Sequence, residues 1–374
     1  MKYFDIGGVE VSRLGFGCMR FPVIDGDNGK INKEESEKLL LDAIERGLNY
    51  IDTAYPYHEE TSEDFVGEFL QKHNLRDKMQ LATKLPCWLV EKEEDFERLL
   101  NLQLEKLQTD YIDFYLLHSL DIKRFKKILD LGVLDFCKKI KEKGIVKHIG
   151  FSFHDEYPAF EEIFSAYDWD FCQIQLNYLD IDYQAGMKGY ELATKNNVPV
   201  IIMEPLKGGR LSNPPEEIRV MSKKFEPLSY SQVALKFPLS LSNVMTVLSG
   251  MNSHKQVEEN CEMADKVEYS SLTDEEKEFY KVSRQAYKDR ERIGCTACEY
   301  CMPCTVEINI PKVFSLWNKA FLYDEEEKSK KDHNEYLKDG VSPEECIECG
   351  KCEDICPQHL EIIAGLKDAH EYLK

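Results

Sequence analysis

Four side chains that can move or hold protons stand at the ends of apolar runs. Asp52-Thr-Ala-Tyr-Pro-Tyr57 follows Gly47-Leu-Asn-Tyr-Ile51, Lys84 closes Met79-Gln-Leu-Ala-Thr83, and His118 closes Tyr111-Ile-Asp-Phe-Tyr-Leu-Leu117. A short run of β-branched and aromatic residues that stops at a polar one reads as a buried strand emptying into a loop. Asp52 and Lys84 are 32 residues apart, and Lys84 and His118 are 34 apart. That is the length of one strand, one helix and two loops, so the three ends read as successive turns of one repeat. Chemically they offer a carboxylate, a phenol (Tyr57), an ammonium and an imidazole. A tyrosine is a proton donor at neutral pH, and a nearby cation lowers its pKa. Lys84 is expected to do this while Asp52 holds the lysine, and His118 can hydrogen-bond a substrate oxygen. The set suits protonation of a carbonyl oxygen while a hydride reaches its carbon.

The elements that must position these groups alternate. Residues 1 to about 10 predict a hairpin turning at Gly7-Gly8, a lid over the bottom of a barrel. Eight strands follow, at Leu14–Gly17, Leu48–Ile51, Met79–Thr83, Ile112–Leu117, Val146–Phe151, Phe171–Leu176, Val198–Met203 and Met245–Leu248. Amphipathic helical segments lie between them, among them Glu34–Arg46, Asp95–Leu107 and Phe125–Lys143, and His254–Met263 closes the set. The count is that of a (β/α)8 TIM barrel, whose chemistry sits at the strand C-termini. A doubly wound sheet is the alternative, but no G-x-G-x-x-G follows the first strand. The 374 residues exceed one barrel, so the expected organisation is an α/β barrel over 1–270 and a smaller module over 271–374. The charged segment 271–292 predicts a helix and 324–332 a solvated loop.

A net charge of −21 argues against nucleic acid, and no stretch is apolar enough for a membrane span. The N-terminus lacks a signal-peptide core, so the cytoplasm is the expected location. Thirteen cysteines are present; eight of them lie between Cys295 and Cys356, which points to a metal site rather than disulfides. Cys346-x2-Cys349-x2-Cys352-x3-Cys356-Pro357 is the bacterial ferredoxin run, in which three thiolates hold one [4Fe–4S] cluster and the fourth holds another. The first motif, Cys295-x2-Cys298-x2-Cys301-x2-Cys304, ends with a shorter gap and is followed by Thr305. The simplest assignment gives one cluster to Cys295, Cys298, Cys301 and Cys356 and the other to Cys346, Cys349, Cys352 and Cys304. A single cluster on the second motif is the alternative. The wide separation of the motifs, with helix-like sequence at 311–321, resembles α-helical ferredoxin domains.

Over roughly residues 1–270 the chain resembles the aldo-keto reductases. The resemblance rests on Asp52-Thr-Ala-Tyr-Pro-Tyr57, the Lys84 strand end, Asp113-Phe-Tyr-Leu-Leu-His118, Ile149-Gly-Phe-Ser152, Gln173-Ile-Gln-Leu-Asn177 and Glu258-Glu-Asn260. It implies Tyr57 as general acid with Lys84, Asp52 and His118, and a nicotinamide cofactor, NADPH or NADH, across the barrel mouth. It also implies cofactor contacts. Ser152 and Gln175 would meet the carboxamide, Gly17, Cys18 and Met19 the ribose and ring, and Met203, Pro205 and Leu206 the ring and pyrophosphate. Gly250, Asn252, Gln256, Glu259 and Asn260 would meet the adenosine end. The chain departs from the commoner pattern at Phe153, at Met203, and at Gly250 and Gln256, where cations often grip a 2′-phosphate.

Without any catalytic role, Ser152 and Gln175 would be ordinary barrel-mouth hydrogen bonders, Cys18 and Cys87 inert, and His58 and His154 solvated. The functional reading is an oxidoreductase of small-molecule aldehydes or ketones, fused to an iron-sulfur module that serves electron transfer or a redox partner protein. Hydride moves two electrons and each cluster takes one, so coupling them calls for a splitter such as a flavin, for which no motif is visible. The rivals are a nicotinamide-independent reductase fed by the clusters and a non-catalytic nucleotide-binding redox sensor or electron carrier.

Overall fold

The computed structural model describes residues 1–295 and 297–374. They fall into two compact units, Met1–Ser212 with Phe225–Thr273, and Asn213–Lys224 with Asp274–Lys374.

In the first unit, β1 (Tyr3–Ile6) and β2 (Val9–Ser12) pair antiparallel across Gly7 and Gly8, both at positive φ. Two such residues are what a tight hairpin turn requires. Eight parallel strands then close a barrel: β3 (Leu14–Gly17), β4 (Tyr50–Asp52), β5 (Gln80–Leu85), β6 (Ile112–Leu120), β7 (Val146–Phe153), β8 (Phe171–Gln175), β9 (Val200–Met203) and β10 (Val244–Ser249). Each pairs with the next, and β10 returns to β3. This is the barrel that the alternating runs predict. Val11 of the hairpin is buried with Tyr50, Phe114, Phe171, Ile201 and Met245, and Phe4, Ile6 and Val9 pack against the same cluster. The hairpin therefore plugs one end of the barrel and leaves the strand C-termini free for chemistry.

The surrounding helices are α1 (Lys33–Glu45), α2 (Ser62–Lys72), α3 (Glu94–Lys106), α4 (Ile122–Asp130), α5 (Val133–Glu142), α6 (Tyr157–Ser165) and α7 (Gly186–Lys195). After α8 (Glu216–Ser222), which groups with the second unit, come α9 (Tyr230–Leu239) and α10 (His254–Lys266). Asn32, Asp121, Ser229 and Ser253 cap α1, α4, α9 and α10 by accepting a backbone N–H with their side chains. The segment expected as one helix over 125–143 is two. Gly132 at φ +85° breaks the turn between α4 and α5, a conformation that glycine adopts without strain.

The second unit adds α11 (Asp274–Asp289), α12 (Ile310–Leu322), α13 (Glu326–Asp339), α14 (Lys351–Asp354) and α15 (Ile362–Leu373). The expected loop at 324–332 is instead the start of α13. Its Glu and Lys residues are good helix formers, and Lys330 pairs with Glu326 one turn back at 3.0 Å. The core of this unit is Ile308, Ile310, Val313, Phe314, Ile362, Leu366 and Ala369, and it includes Cys356. Five further cysteines, Cys295, Cys301, Cys304, Cys346 and Cys352, pack against it. Among the described residues no helix is long and apolar enough to cross a membrane.

Candidate functional site

The strand ends of β4, β5 and β6 bring the four expected groups together. Asp52 is the last residue of β4, Lys84 is the penultimate residue of β5, and His118 lies near the end of β6. Lys84 is fully buried and donates from Nζ to Asp52 Oδ1 at 2.7 Å, to the Thr53 carbonyl at 2.7 Å and to Tyr57 Oη at 3.4 Å. The ammonium also lies 4.9 Å from the centre of the Tyr57 ring. The Tyr57 and His118 rings meet edge to face at 6.3 Å. Burial alone would lower the Lys84 pKa, but the Asp52 carboxylate and the Tyr57 hydroxyl outweigh it and hold the ammonium charged. Desolvation raises the Tyr57 pKa, and the Lys84 charge pulls it down without overcoming that rise. The cation therefore moderates the phenol rather than bringing it below its ordinary value. His118 is held well below the ordinary histidine range, first by burial and then by Lys84, His154 and Arg124, so the imidazole is neutral.

Of the residues expected around a cofactor, Ser152, Gln175 and Asn260 are buried and engaged by protein partners. Ser152 accepts the Ser119 N–H at 2.7 Å, and Gln175 Nε2 donates to Asp180 Oδ2 at 3.0 Å. Their hydroxyl hydrogen and amide oxygen remain uncommitted to those partners. Met203 is half-buried and its sulfur lies 3.6 Å from Gln173 Nε2. Cys18 and Pro205 are buried, Gly17 and Leu206 are partly so, and Met19 is exposed. At the far side, Gly250, Asn252 and Gln256 are exposed, and the Asn252 N–H donates to Gln256 Oε1 at 2.8 Å. Glu259 is engaged by Ser229 at 2.9 Å, and Asn260 is buried with its amide on Ser249 at 3.0 Å. Asn260 thus braces the end of β10 from within.

Burial pushes the Cys87 thiol up to about 12 and raises the Cys18 thiol well above its ordinary value, so neither is a nucleophile at neutral pH. His58, in contrast to the expectation, is not solvated. It is 2% exposed, accepts the Phe21 N–H at 3.2 Å, and its other ring nitrogen lies 2.9 Å from the Asn28 carbonyl. Sequence reasoning overlooked Trp88, whose ring lies 5.1 Å from that of His118, and Asp180, which receives Gln175, Asn177 and Lys207 on one oxygen. Trp88 follows Lys84 by four residues and was open to detection as a strand-end aromatic. Asp180 sits in an irregular loop with no such signal.

In the second unit the cysteines gather around two neighbouring cavities. One, of about 230 Å³, is lined by Cys301, Cys304, Cys346, Cys349 and Cys352. The other is lined by Cys295, Cys298, Cys301 and Cys356. Burial raises the Cys295 thiol, with Cys298 and Cys356 adding to the rise, and likewise raises Cys352, with Glu353 and then Cys304 adding. Cys349, exposed and hydrogen-bonded by Thr305, is lowered. No three His, Cys, Asp or Glu side chains among the described residues converge on a single-ion site.

Comparison with known proteins agrees with both halves. Residues 13–273 match the aldo/keto reductase family, and residues 294–361 match the 4Fe-4S dicluster domain. An uncharacterized oxidoreductase of Bacillus subtilis, YqkF, is 25% identical over 304 residues, covering 72% of this chain and 91% of that protein. The holo form of the aldo-keto reductase AKR11C1 from Bacillus halodurans superposes with a TM-score of 0.63 at 24% identity, over 75% of this chain and 96% of its own. An aldo-keto reductase from Klebsiella pneumoniae, solved in complex with NADPH, has the same fold, with a TM-score of 0.60 at 20% identity, over 76% and 95%. With its eight-stranded barrel and its cysteine-rich helical unit, this chain belongs to the aldo/keto reductase family and carries a C-terminal 4Fe-4S dicluster domain.

Proposed function

We propose that the chain reversibly reduces an aldehyde or ketone with hydride from a nicotinamide dinucleotide, Tyr57 giving the proton. The observation that carries this reading is the hydrogen-bonded line from Asp52 through Lys84 to Tyr57 at the mouth of the barrel. A bound nicotinamide supplies the hydride. The side chains present fit its carboxamide, because such a group offers an acceptor to the Ser152 hydroxyl and a donor to the Gln175 amide oxygen. His118, neutral, orients the substrate carbonyl without competing for the proton. Tyr57 donates its hydroxyl hydrogen as negative charge builds on that oxygen, and the Lys84 ammonium stabilises the phenolate left behind. Asp52, paired to Lys84 in a dry site, keeps the ammonium in place.

The two cavities support two [4Fe–4S] clusters with crossed ligands: Cys295, Cys298, Cys301 and Cys356 for one, and Cys346, Cys349, Cys352 and Cys304 for the other. Thiolates in this density suit iron-sulfur chemistry. The clusters supply single-electron exchange with a redox partner, and the exposed Cys298 and Cys349 mark where such a partner would approach.

The test is Tyr57→Phe in anaerobically purified protein assayed against a panel of aldehydes and ketones. A general acid of this kind contributes roughly 10²- to 10⁴-fold, so kcat should drop by that factor while NADPH or NADH binding, read by fluorescence, stays the same. Retained turnover would overturn the mechanism.

A further inference from the structure

We infer that Arg20 clamps the diphosphate of the dinucleotide, a role that rests on the proposed nicotinamide chemistry and deepens it. Arg20 ends the 3-10 turn Cys18–Arg20 that follows β3, and its side chain is exposed at the barrel mouth. Its stem lies against Gly250 in the loop after β10. A Cβ built there would stand 2.6 Å from Arg20 Cγ and 2.8 Å from its Cβ. Its guanidinium reaches the loop after β9, where Nη2 lies 4.0 Å from a Cβ built on Gly208. One side chain thus spans from the loop expected at the adenosine end to the loop that follows Pro205-Leu206.

Charge accounting at the mouth singles this residue out. Lys84 is held by Asp52, Lys207 by Asp180 at 2.6 Å, and Arg124 by the Ser119 carbonyl with Asp121 3.7 Å away. Arg20 makes no hydrogen bond or ion pair to another side chain among the described residues. Gly208 and Gly209, both at positive φ, leave bare backbone beside its guanidinium, so an anion can approach closely. A planar fork of N–H donors matches phosphate oxygens in pairs. The charged end lies by Gly208 and only the aliphatic stem passes Gly250, so the geometry favours the diphosphate over a 2′-phosphate. Gly250 has a physical reason of its own, since any side chain there would displace the arginine stem.

The experiment titrates the anaerobically purified full chain and its Arg20→Ala variant with NADPH, NADH, ADP and 2′-AMP. Two charge-assisted hydrogen bonds lost to solvent correspond to roughly ten- to hundredfold weaker binding. That loss is expected alike for NADPH, NADH and ADP, with 2′-AMP unaffected. Arg20→Lys should recover part of it. Gly250→Ala should reproduce it in the wild-type background and add little to Arg20→Ala. Unchanged binding of all three diphosphates would overturn the assignment, as would a loss confined to NADPH and 2′-AMP, which would place Arg20 on the 2′-phosphate. If the wild type binds ADP but neither dinucleotide, the hydride reading fails, and the ADP comparison still decides the role of Arg20.

Discussion

Lys84 shares one buried ammonium between Asp52 at 2.7 Å and Tyr57 at 3.4 Å. The same charge therefore balances a carboxylate that has no access to water and steadies the proton donor. Lys84→Met should abolish turnover and also leave Asp52 uncompensated. Removing one partner of a buried pair costs about 3–5 kcal/mol. Adding Asp52→Asn should return part of that stability without restoring activity, which thermal melts and assays on the single and double variants will check.

The pH behaviour follows from Tyr57 and the histidines. Because the Tyr57 phenol holds its proton above the ordinary tyrosine value, carbonyl reduction should stay level from neutral pH to about 10 and fall only beyond it. Alcohol oxidation, which needs the deprotonated form, should instead climb through the alkaline range. A rate of reduction that halves near pH 8 would contradict this.

Stability should move in the acid direction. His118 and His58 are both depressed by burial in the folded barrel, so the unfolded chain takes up protons that the folded one refuses. Their contribution is present above about pH 6.5 and declines as the pH falls below that value. In the second unit His333, buried 3.0 Å from His370 and lowered to about 4, extends the decline to about pH 4. Melting temperatures measured from pH 7.5 down to 5.0 should therefore fall.

Gly67 in α2 marks a close approach to the end of α3. A Cβ there would meet the Lys106 carbonyl oxygen at 2.4 Å and Leu107 backbone atoms at 2.7 and 2.8 Å. Those are backbone atoms at the end of α3 and cannot swing aside. Gly67→Ala should cost about 1–3 kcal/mol through overpacking, although alanine is the better helix former. A denaturant midpoint at or above the wild-type value would refute this.

The proposed crossed ligand sets can be told apart by single cysteine variants. Cys356→Ser should impair the cluster served by Cys295, Cys298 and Cys301, and Cys304→Ser the other one. Each single variant should then retain close to half the iron and sulfide. If Cys304→Ser leaves iron unchanged and Cys349→Ser removes all of it, only one cluster is present.

The barrel was legible because its signals are local and repeated. Three apolar runs stop at a polar residue, and the intervals of 32 and 34 residues put Asp52, Lys84 and His118 on neighbouring strands. The clustered cysteines were equally plain, since their spacing encodes ligand reach. What escaped depends on contacts between distant loops. Arg20 looks ordinary until Gly250 and Gly208 are seen beneath it, and His58 looks like a loop residue until Phe21 and Asn28 close around it. The break at Gly132 was also hidden, because the apolar period runs on through α4 and α5. The direction of the Tyr57 shift was misjudged because desolvation is invisible in a string of residues.

Six of the eight clustered cysteines are built into or packed on the core of the second unit, so the groups that would bind iron are also part of its hydrophobic interior. Folding of that unit is therefore tied to what the thiolates hold, whereas the barrel draws its stability from an aliphatic and aromatic interior of its own. Iron scarcity should consequently act as a quality-control signal, delivering chains whose catalytic half is sound and whose second half is open to proteolysis. Cellular abundance of this protein should then track iron supply even where its transcript does not.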